Sequence, residues 1–239
     1  MRMVLVRACV TSMAVVSMLL LTACVNKEPQ ERAAFIQLLQ ARMNNVTLVP
    51  IGLLTKSERE AIGDYDDAYD VMTEFQDAMA KAAASLGEVL GVETIRSVSE
   101  IVERKGSLEG ARKTLAASAA QVQAARAKAD KARAEFALPA DLAPVYEGVY
   151  DEAVTAPAAE LMEAAAKMDA VARDALGIAD FVAANAPDIL FEDGQTRVAK
   201  PTLQQELNLR LQALNAQSDG LEAARATLLQ AASAGSTAH

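Results

Sequence analysis

Few residues in this chain have side chains suited to chemistry, and the first of them is a cysteine. The 239 residues include two cysteines and one histidine. Cys24 closes the run Leu21-Thr22-Ala23-Cys24. Ahead of it lie a positive segment with Arg2 and Arg7 and a short apolar stretch, Ala8 to Leu21. Lipoprotein signals have this layout. Small residues fit the peptidase cleft, and the thiol takes a diacylglyceryl group before cleavage. The apolar run is broken by Thr11, Ser12 and Ser17. It is shorter than the roughly 20 residues a membrane-spanning helix needs. The sequence therefore predicts a signal peptide over 1–23, lipidation at Cys24 with palmitate-type acyl chains, and a short tether over 24–29. A single helical domain would follow over 30–239. Val25 stands where inner-membrane lipoproteins commonly carry Asp, so the expected location is the periplasmic face of the outer membrane.

The remaining candidates are carboxylates and phenols. Asp64, Asp66, Asp67 and Asp70 fall within two helical turns. They form either a solvated helix face, favoured near a positive helix N-terminus, or a weak cation or partner site. The spacing and turn glycine of an EF-hand are absent. Tyr65 with Tyr69, and Tyr146 with Tyr150, form two i, i+4 pairs. They could pack helix interfaces with their hydroxyls at the bundle edge, or line a ligand pocket. Glu58 and Glu100 each follow a serine and are the carboxylates a single-acid envelope hydrolase could use. Such an enzyme grips glycans with aromatic rings, whereas this chain has no Trp and 4% aromatic residues. His239 is expected on a frayed end. Once Cys9 leaves with the signal and Cys24 is acylated, no thiol nucleophile, disulfide or thiolate metal ligand remains. No GxSxG, SxxK, P-loop or HExxH motif occurs. The sequence indicates no enzyme, cofactor or metal.

Charge narrows the partners. Loss of Arg2 and Arg7 takes the net charge from −9 to −11, with no basic cluster. That argues against nucleic acid and against polybasic attraction to anionic lipid. Membrane attachment would then come from the acyl chains alone.

The elements that hold these residues read as helices. Pro29 suits a first turn, and Phe35, Ile36, Leu38, Leu39 and Met43 follow at helical spacing. Asn44 and Asn45 should end that helix, and VTLVPIGLL reads as an extended, buried connector. Thr55-Lys56-Ser57-Glu58 is a capping box. Behind it, Ile62, Tyr65, Tyr69, Met72, Gln76, Met79, Ala83, Leu86 and Leu90 alternate by three and four, widened by Ala68, Phe75, Ala82 and Val89, until Gly91. A shorter helix is expected over Val92 to Val102. Ser107 should cap a long helix with Leu108, Leu115, Val122, Ala129 and Phe136 every seven residues, ending at Pro139. Its small residues Ala111, Ser118, Ala125 and Ala132 would admit a neighbouring backbone. Asp141 should cap the next helix, which Pro157 should kink or break near Thr155. The chain then resumes through Leu161, Ala164, Met168, Val171, Ala175, Ile178 and Val182. Two β-leaning runs flank Asp193-Gly194, a hairpin turn in which Gly194 should take positive φ. Thr202-Leu203-Gln204-Gln205 reads as a second capping box before a last helix with Leu207, Leu211, Leu214, Leu221 and Leu228. The fold class is all-α: an elongated helical bundle with heptad-like long helices and one small β-hairpin.

Three stretches, CVNKEPQERAAFIQLLQ, LTKSEREAIGDYDDAY and LAPVYEGVYDEAVTAPAAEL, together with the hairpin before the last helix, resemble the YiaF-like family of proteobacterial lipoproteins. The resemblance spans nearly the whole mature chain. It implies an envelope lipoprotein with one helical domain of unknown function, and carries over one site residue, Cys24. The expected function is a structural or adaptor module that binds an envelope protein. The alternative is a module holding a lipophilic ligand between its helices, and a carboxylate enzyme comes third.

Overall fold

The computed structural model describes residues 26–43, 51–86, 95–192 and 195–236. The chain runs through α1 (Glu28–Met43), α2 (Lys56–Ile62), a 3-10 turn (Gly63–Tyr65) and α3 (Asp66–Ala84). It continues through α4 (Val98–Glu103), α5 (Lys105–Arg133), α6 (Ala143–Tyr150), a π turn (Asp151–Thr155) and α7 (Ala156–Ala184). A hairpin of β1 (Ile189–Glu192) and β2 (Gln195–Val198) precedes α8 (Pro201–Asn215) and α9 (Ser218–Ser236).

Helices α3, α5, α7 and α9 pack in a closed ring, each against two neighbours. Contacts across the seams set their directions. Lys128 meets Glu74 while Ser118 meets Ala82, so α5 runs antiparallel to α3. Arg112 meets Asp169 and Lys105 meets Asp180, so α7 returns antiparallel to α5. Gln217 reaches Asp174 as the chain descends again. α1 packs on α2, the 3-10 turn and α6 at the lower pole. α4, the hairpin and α8 close the upper one, around Val98, Ile101, Ile178, Val182, Ile189 and Leu207. From α6 to α7 the helix is uninterrupted, spanning about 60 Å from pole to pole at 1.5 Å per residue.

The expected seams face inward. Ile62, Tyr69, Met72, Phe75, Ala82, Ala83 and Leu86 are buried, as are Leu115, Ser118, Val122 and Ala129. Ser118 is the close approach its size allows: its hydroxyl donates to the Ala82 carbonyl at 2.9 Å across the α3–α5 contact. The hairpin pairs Ile189 with Val198 and Glu192 with Gln195, leaving two residues between strands. The expectation for Gly194 lies outside the described residues, as do those for Asn44, Asn45, Val89, Leu90 and Gly91.

Local expectations fail where tertiary contacts outweigh a local signal. Gly63 interrupts the seam behind the capping box, taking φ of 51° and a 3-10 turn before α3. α5 begins at Lys105 with no side-chain cap, so Ser107 lies inside the helix. Ser97 instead caps the short α4, accepting from Glu100 N–H. α5 ends at Arg133, and Phe136 packs from the following loop against Tyr146, with ring centroids 6.4 Å apart. Asp141 does not cap α6; it pairs with Arg32 at 3.4 Å. α8 begins at Pro201 after Lys200, so Thr202 caps nothing. The last helix is two, divided at Ala216–Gln217. Of the connector, Ile51 is buried but Leu53 is 77% exposed.

Pro157 neither breaks nor ends its helix. One wide turn precedes it, in which Ala156 N–H donates to Asp151 C=O five residues back. Proline cannot donate to the carbonyl four residues earlier, that of Ala153. The Gln76 amide approaches that carbonyl at 3.4 Å and supplies a donor.

Candidate functional site

The lipobox Leu21, Thr22, Ala23 and Cys24 lies outside the described residues, as does His239. The described chain begins just after the lipobox. α1 begins at Glu28, two residues earlier than the predicted domain, so three residues of sequence separate it from Cys24. The Asn26 side chain accepts from Glu28 N–H at 3.1 Å. Glu28 itself is held twice: the Tyr65 hydroxyl donates to it at 2.6 Å, and Arg32 lies 3.6 Å away. Phe35 and Leu39, further along the same helix, are fully buried. The helix that leaves the lipobox is thus docked from its first turn.

Tyr65, Tyr146 and Tyr150 join Phe35 in one aromatic group, and Tyr69 is fully buried in the same core. Phe35 stacks on Tyr65 at 5.4 Å, and Tyr146 lies 6.1 Å from Tyr150 and 6.3 Å from Phe35. Tyr69 donates to the carbonyls of Ile51 and Gly52 at 2.8 and 2.9 Å. Tyr146 donates to the Ala68 carbonyl at 2.9 Å, and Tyr150 to Asp130 at 2.8 Å, with Arg133 over its ring. Burial pushes the Tyr69 phenol up to about 12 and moves Tyr146 and Tyr150 up as well. Tyr65 also rises to about 12, through desolvation first and then its bond to Glu28. Of the two readings of these pairs, core packing is the one realised. Every hydroxyl ties together segments distant in sequence, and none faces a hollow.

Of the clustered aspartates, Asp66 and Asp70 are paired, whereas Asp64 and Asp67 lie exposed. Arg59 reaches Asp66 at 3.0 Å and grips both oxygens of Asp70 at 2.8 and 3.0 Å. An internal guanidinium therefore stands where a cation would. Glu58 closes its capping box, accepting from Thr55 N–H at 2.8 Å. That bond, the Thr55 hydroxyl and nearby Arg42 hold its carboxyl below the usual range. Glu100 accepts from Arg96 N–H at 2.9 Å at the start of α4. Both glutamates serve as helix-start clamps. Among the described residues, no three His, Cys, Asp or Glu side chains gather where they could hold a metal.

One residue that sequence reasoning passed over belongs to this framework. Gln76 sits in an otherwise apolar seam, seven residues after Tyr69. Its carbonyl accepts from Ile51 N–H at 3.0 Å and its amide faces Ala153. The signal was present: an amide at a core heptad position requires polar partners. Two open depressions mark the surface. One, of about 550 Å³, lies between α5 and α7 along Leu115, Ala119, Met162 and Ala165, with Arg112 and Asp169 at its edge. The other lies between α1 and α6, beside Met43 and Val145.

Fold and site together define an all-α bundle, stapled internally by tyrosines, with its first helix docked from its first turn. The chain belongs to the family described as protein of unknown function DUF3053, whose profile matches residues 12–229. It is 27% identical over 216 residues to the uncharacterized protein YiaF of Escherichia coli K12, covering 88% of this chain and 90% of that protein. The same figures hold for uncharacterized YiaF proteins of Escherichia coli O157:H7 and Shigella flexneri. No solved structure matches.

Proposed function

We propose that this protein is a lipid-anchored envelope lipoprotein, held by acylated Cys24 at the periplasmic face of the outer membrane. Its bundle acts there as a non-catalytic structural or partner-binding module. The observation that carries the reading is the lipobox joined to a docked helix by three residues. At about 3.3–3.6 Å per extended residue, that tether reaches roughly 10–15 Å. An anchored body so restrained meets partners embedded in, or attached to, the same membrane more readily than distant ones. No helix among the described residues is long and apolar enough to cross a membrane. The internal use of the tyrosines, of Glu58 and Glu100, and of the Asp66–Asp70 pair supports a role without catalysis.

Metabolic labelling with a fatty acid should mark the wild-type chain, and Cys24→Ser should abolish the label and leave an uncleaved or soluble protein. Unchanged labelling of that variant would refute the anchor. Sedimentation of the labelled chain with inner membranes would refute the location. Crosslinking in intact cells should capture an envelope protein. Turnover of an envelope substrate by the purified protein would refute the non-catalytic role.

A further inference from the structure

The loop at the lower pole packs its large side chains, Phe136 and Leu138, on the core and leaves small neutral ones outside. Between α5 and α6, residues 136–140 read Phe-Ala-Leu-Pro-Ala, five residues without a charge. Phe136 turns in against Tyr146, whereas Ala137 and Ala140 are exposed. This loop lies beside the start of α1. Asp141, its immediate neighbour, pairs with Arg32 one turn into that helix, and Leu142 is fully buried in the same core as Phe35. α1 then rises alongside α6, bringing Met43 near Gly148. The first residue of α1, Glu28, is fixed at the pole by Tyr65.

We propose that this pole is the membrane-facing surface of the protein. The Phe136–Ala140 loop lies against the lipid headgroups, and the hairpin pole is held at the far end of the bundle. The inference rests on acylation of Cys24 and goes beyond it. An anchor alone permits any orientation; a three-residue tether ending on a pinned helix start does not. The occupant of the surface is a bilayer because α1 starts there, at Glu28, four residues after the position proposed to carry the acyl chains. A neutral loop at that place avoids burying charge against lipid. The loop has little attraction of its own, since Glu135 and Asp141 flank it and the basic residues before it, Arg126, Lys128 and Arg133, are paired with Asp130, Glu74 and Glu147. Contact therefore follows from the tether and should be insensitive to salt. The length of α6–α7 places Leu190 and Phe191, both exposed on the hairpin, about 60 Å along the bundle from the anchored end.

The mature chain is well suited to a direct test, because acylated Cys24 leaves no free thiol. The full lipidated protein would be reconstituted into vesicles of phosphatidylethanolamine and phosphatidylglycerol with single substitutions Ala137→Cys, Ala140→Cys or Leu190→Cys. Each would be labelled with an environment-sensitive fluorophore and challenged with headgroup-spin-labelled lipid. The expected result is loss of most of the emission at positions 137 and 140, with emission retained at 190, in low and high salt alike. Full acylation with equal emission at all three positions, or stronger quenching at 190, would overturn the orientation while leaving the lipoprotein reading intact. Failure of Cys24 to be acylated would overturn both.

Discussion

Tyr69→Phe removes one oxygen atom and tests the stapled interior directly. In the wild type that oxygen donates toward two main-chain carbonyls, Ile51 at 2.8 Å and Gly52 at 2.9 Å, on a connector with no regular secondary structure of its own. The ring is fully buried, so phenylalanine keeps the packing and loses only the hydroxyl. A net hydrogen bond contributes about 0.5–1.5 kcal/mol, and leaving a buried acceptor unsatisfied costs about 1–3 kcal/mol. Together these put the loss near ~2 kcal/mol. For a chain of this size that lowers the melting temperature by about 4–8 °C. Alkaline titration supplies a second, independent readout. The phenol ionises at 10.0 ordinarily but is pushed up to about 12 in the fold, so the folded state keeps its proton where the unfolded state has lost it. Its contribution is fully present below pH 10 and is lost as pH rises from there through about 12. At about 1.4 kcal/mol per pH unit, reduced by solvent screening, the loss is about 1–2 kcal/mol. Urea unfolding of both proteins across this range should therefore show a gap of ~2 kcal/mol at neutral pH that narrows above pH 10. A gap below about 0.5 kcal/mol would refute the staple, being no larger than an ordinary surface substitution. A gap that stayed constant to pH 12 would refute the assignment of the shifted phenol.

Gln76→Leu removes the acceptor of Ile51 N–H and the donor facing the Ala153 carbonyl. It should cost about 1–3 kcal/mol in urea unfolding while leaving the alkaline limb unchanged. Gly63→Ala forces a side chain into a left-handed backbone at φ of 51° and against the Glu31 carboxylate. A loss of about 1–3 kcal/mol is expected in thermal unfolding, only part of it recovered in a Glu31→Ala background because the backbone strain remains. Full recovery in that background would show the strain argument to be wrong.

What could be read from the sequence divides along a physical line. The seams were legible because burial follows helical period: Tyr69, Met72, Leu115, Val122, Leu161 and Ile178 all face the core. The Thr55–Glu58 capping box was legible because both its bonds lie within four residues. The hairpin was legible from two β-leaning runs two residues apart, and its register confirms that spacing. Misreadings arose where a local signal had a distant competitor. Asp141 can cap a helix, but Arg32 takes it. Pro157 is expected to kink or break its helix near Thr155; a π turn does fall there, but the Gln76 amide from α3 supplies the missing donor and the helix continues. Phe136 keeps the heptad period after its helix has ended, because Tyr146 offers a ring to pack on. Gly63, like Gln76, was a local signal passed over: a glycine inside an apolar helical pattern marks a turn, and here it makes one. The uses of the four tyrosines could not be told apart from sequence. An i, i+4 pair of phenols looks the same whether its hydroxyls reach carbonyls or a ligand.

The distribution of these bonds bears on what the protein can do. Tyr65, Tyr69, Gln76, Tyr146 and Tyr150 all act in the lower half, and their partners lie 17 to 78 residues away along the chain. The upper half is held by aliphatic packing and by half-exposed ion pairs such as Lys105–Asp180 and Lys200–Asp188. Such pairs contribute little in water. Specific buried polar contacts thus concentrate where α1 enters and where the anchor is proposed. A catalytic or ligand site would need the reverse: buried polar groups left uncommitted and aimed at a hollow. Arg42 is the nearest approach, with its Nε buried and unpaired among the described residues, yet its Nη2 is bound to Glu58 at 3.0 Å. The polar interior fixes the first helix, and through it the direction in which the body would point under the proposed anchor.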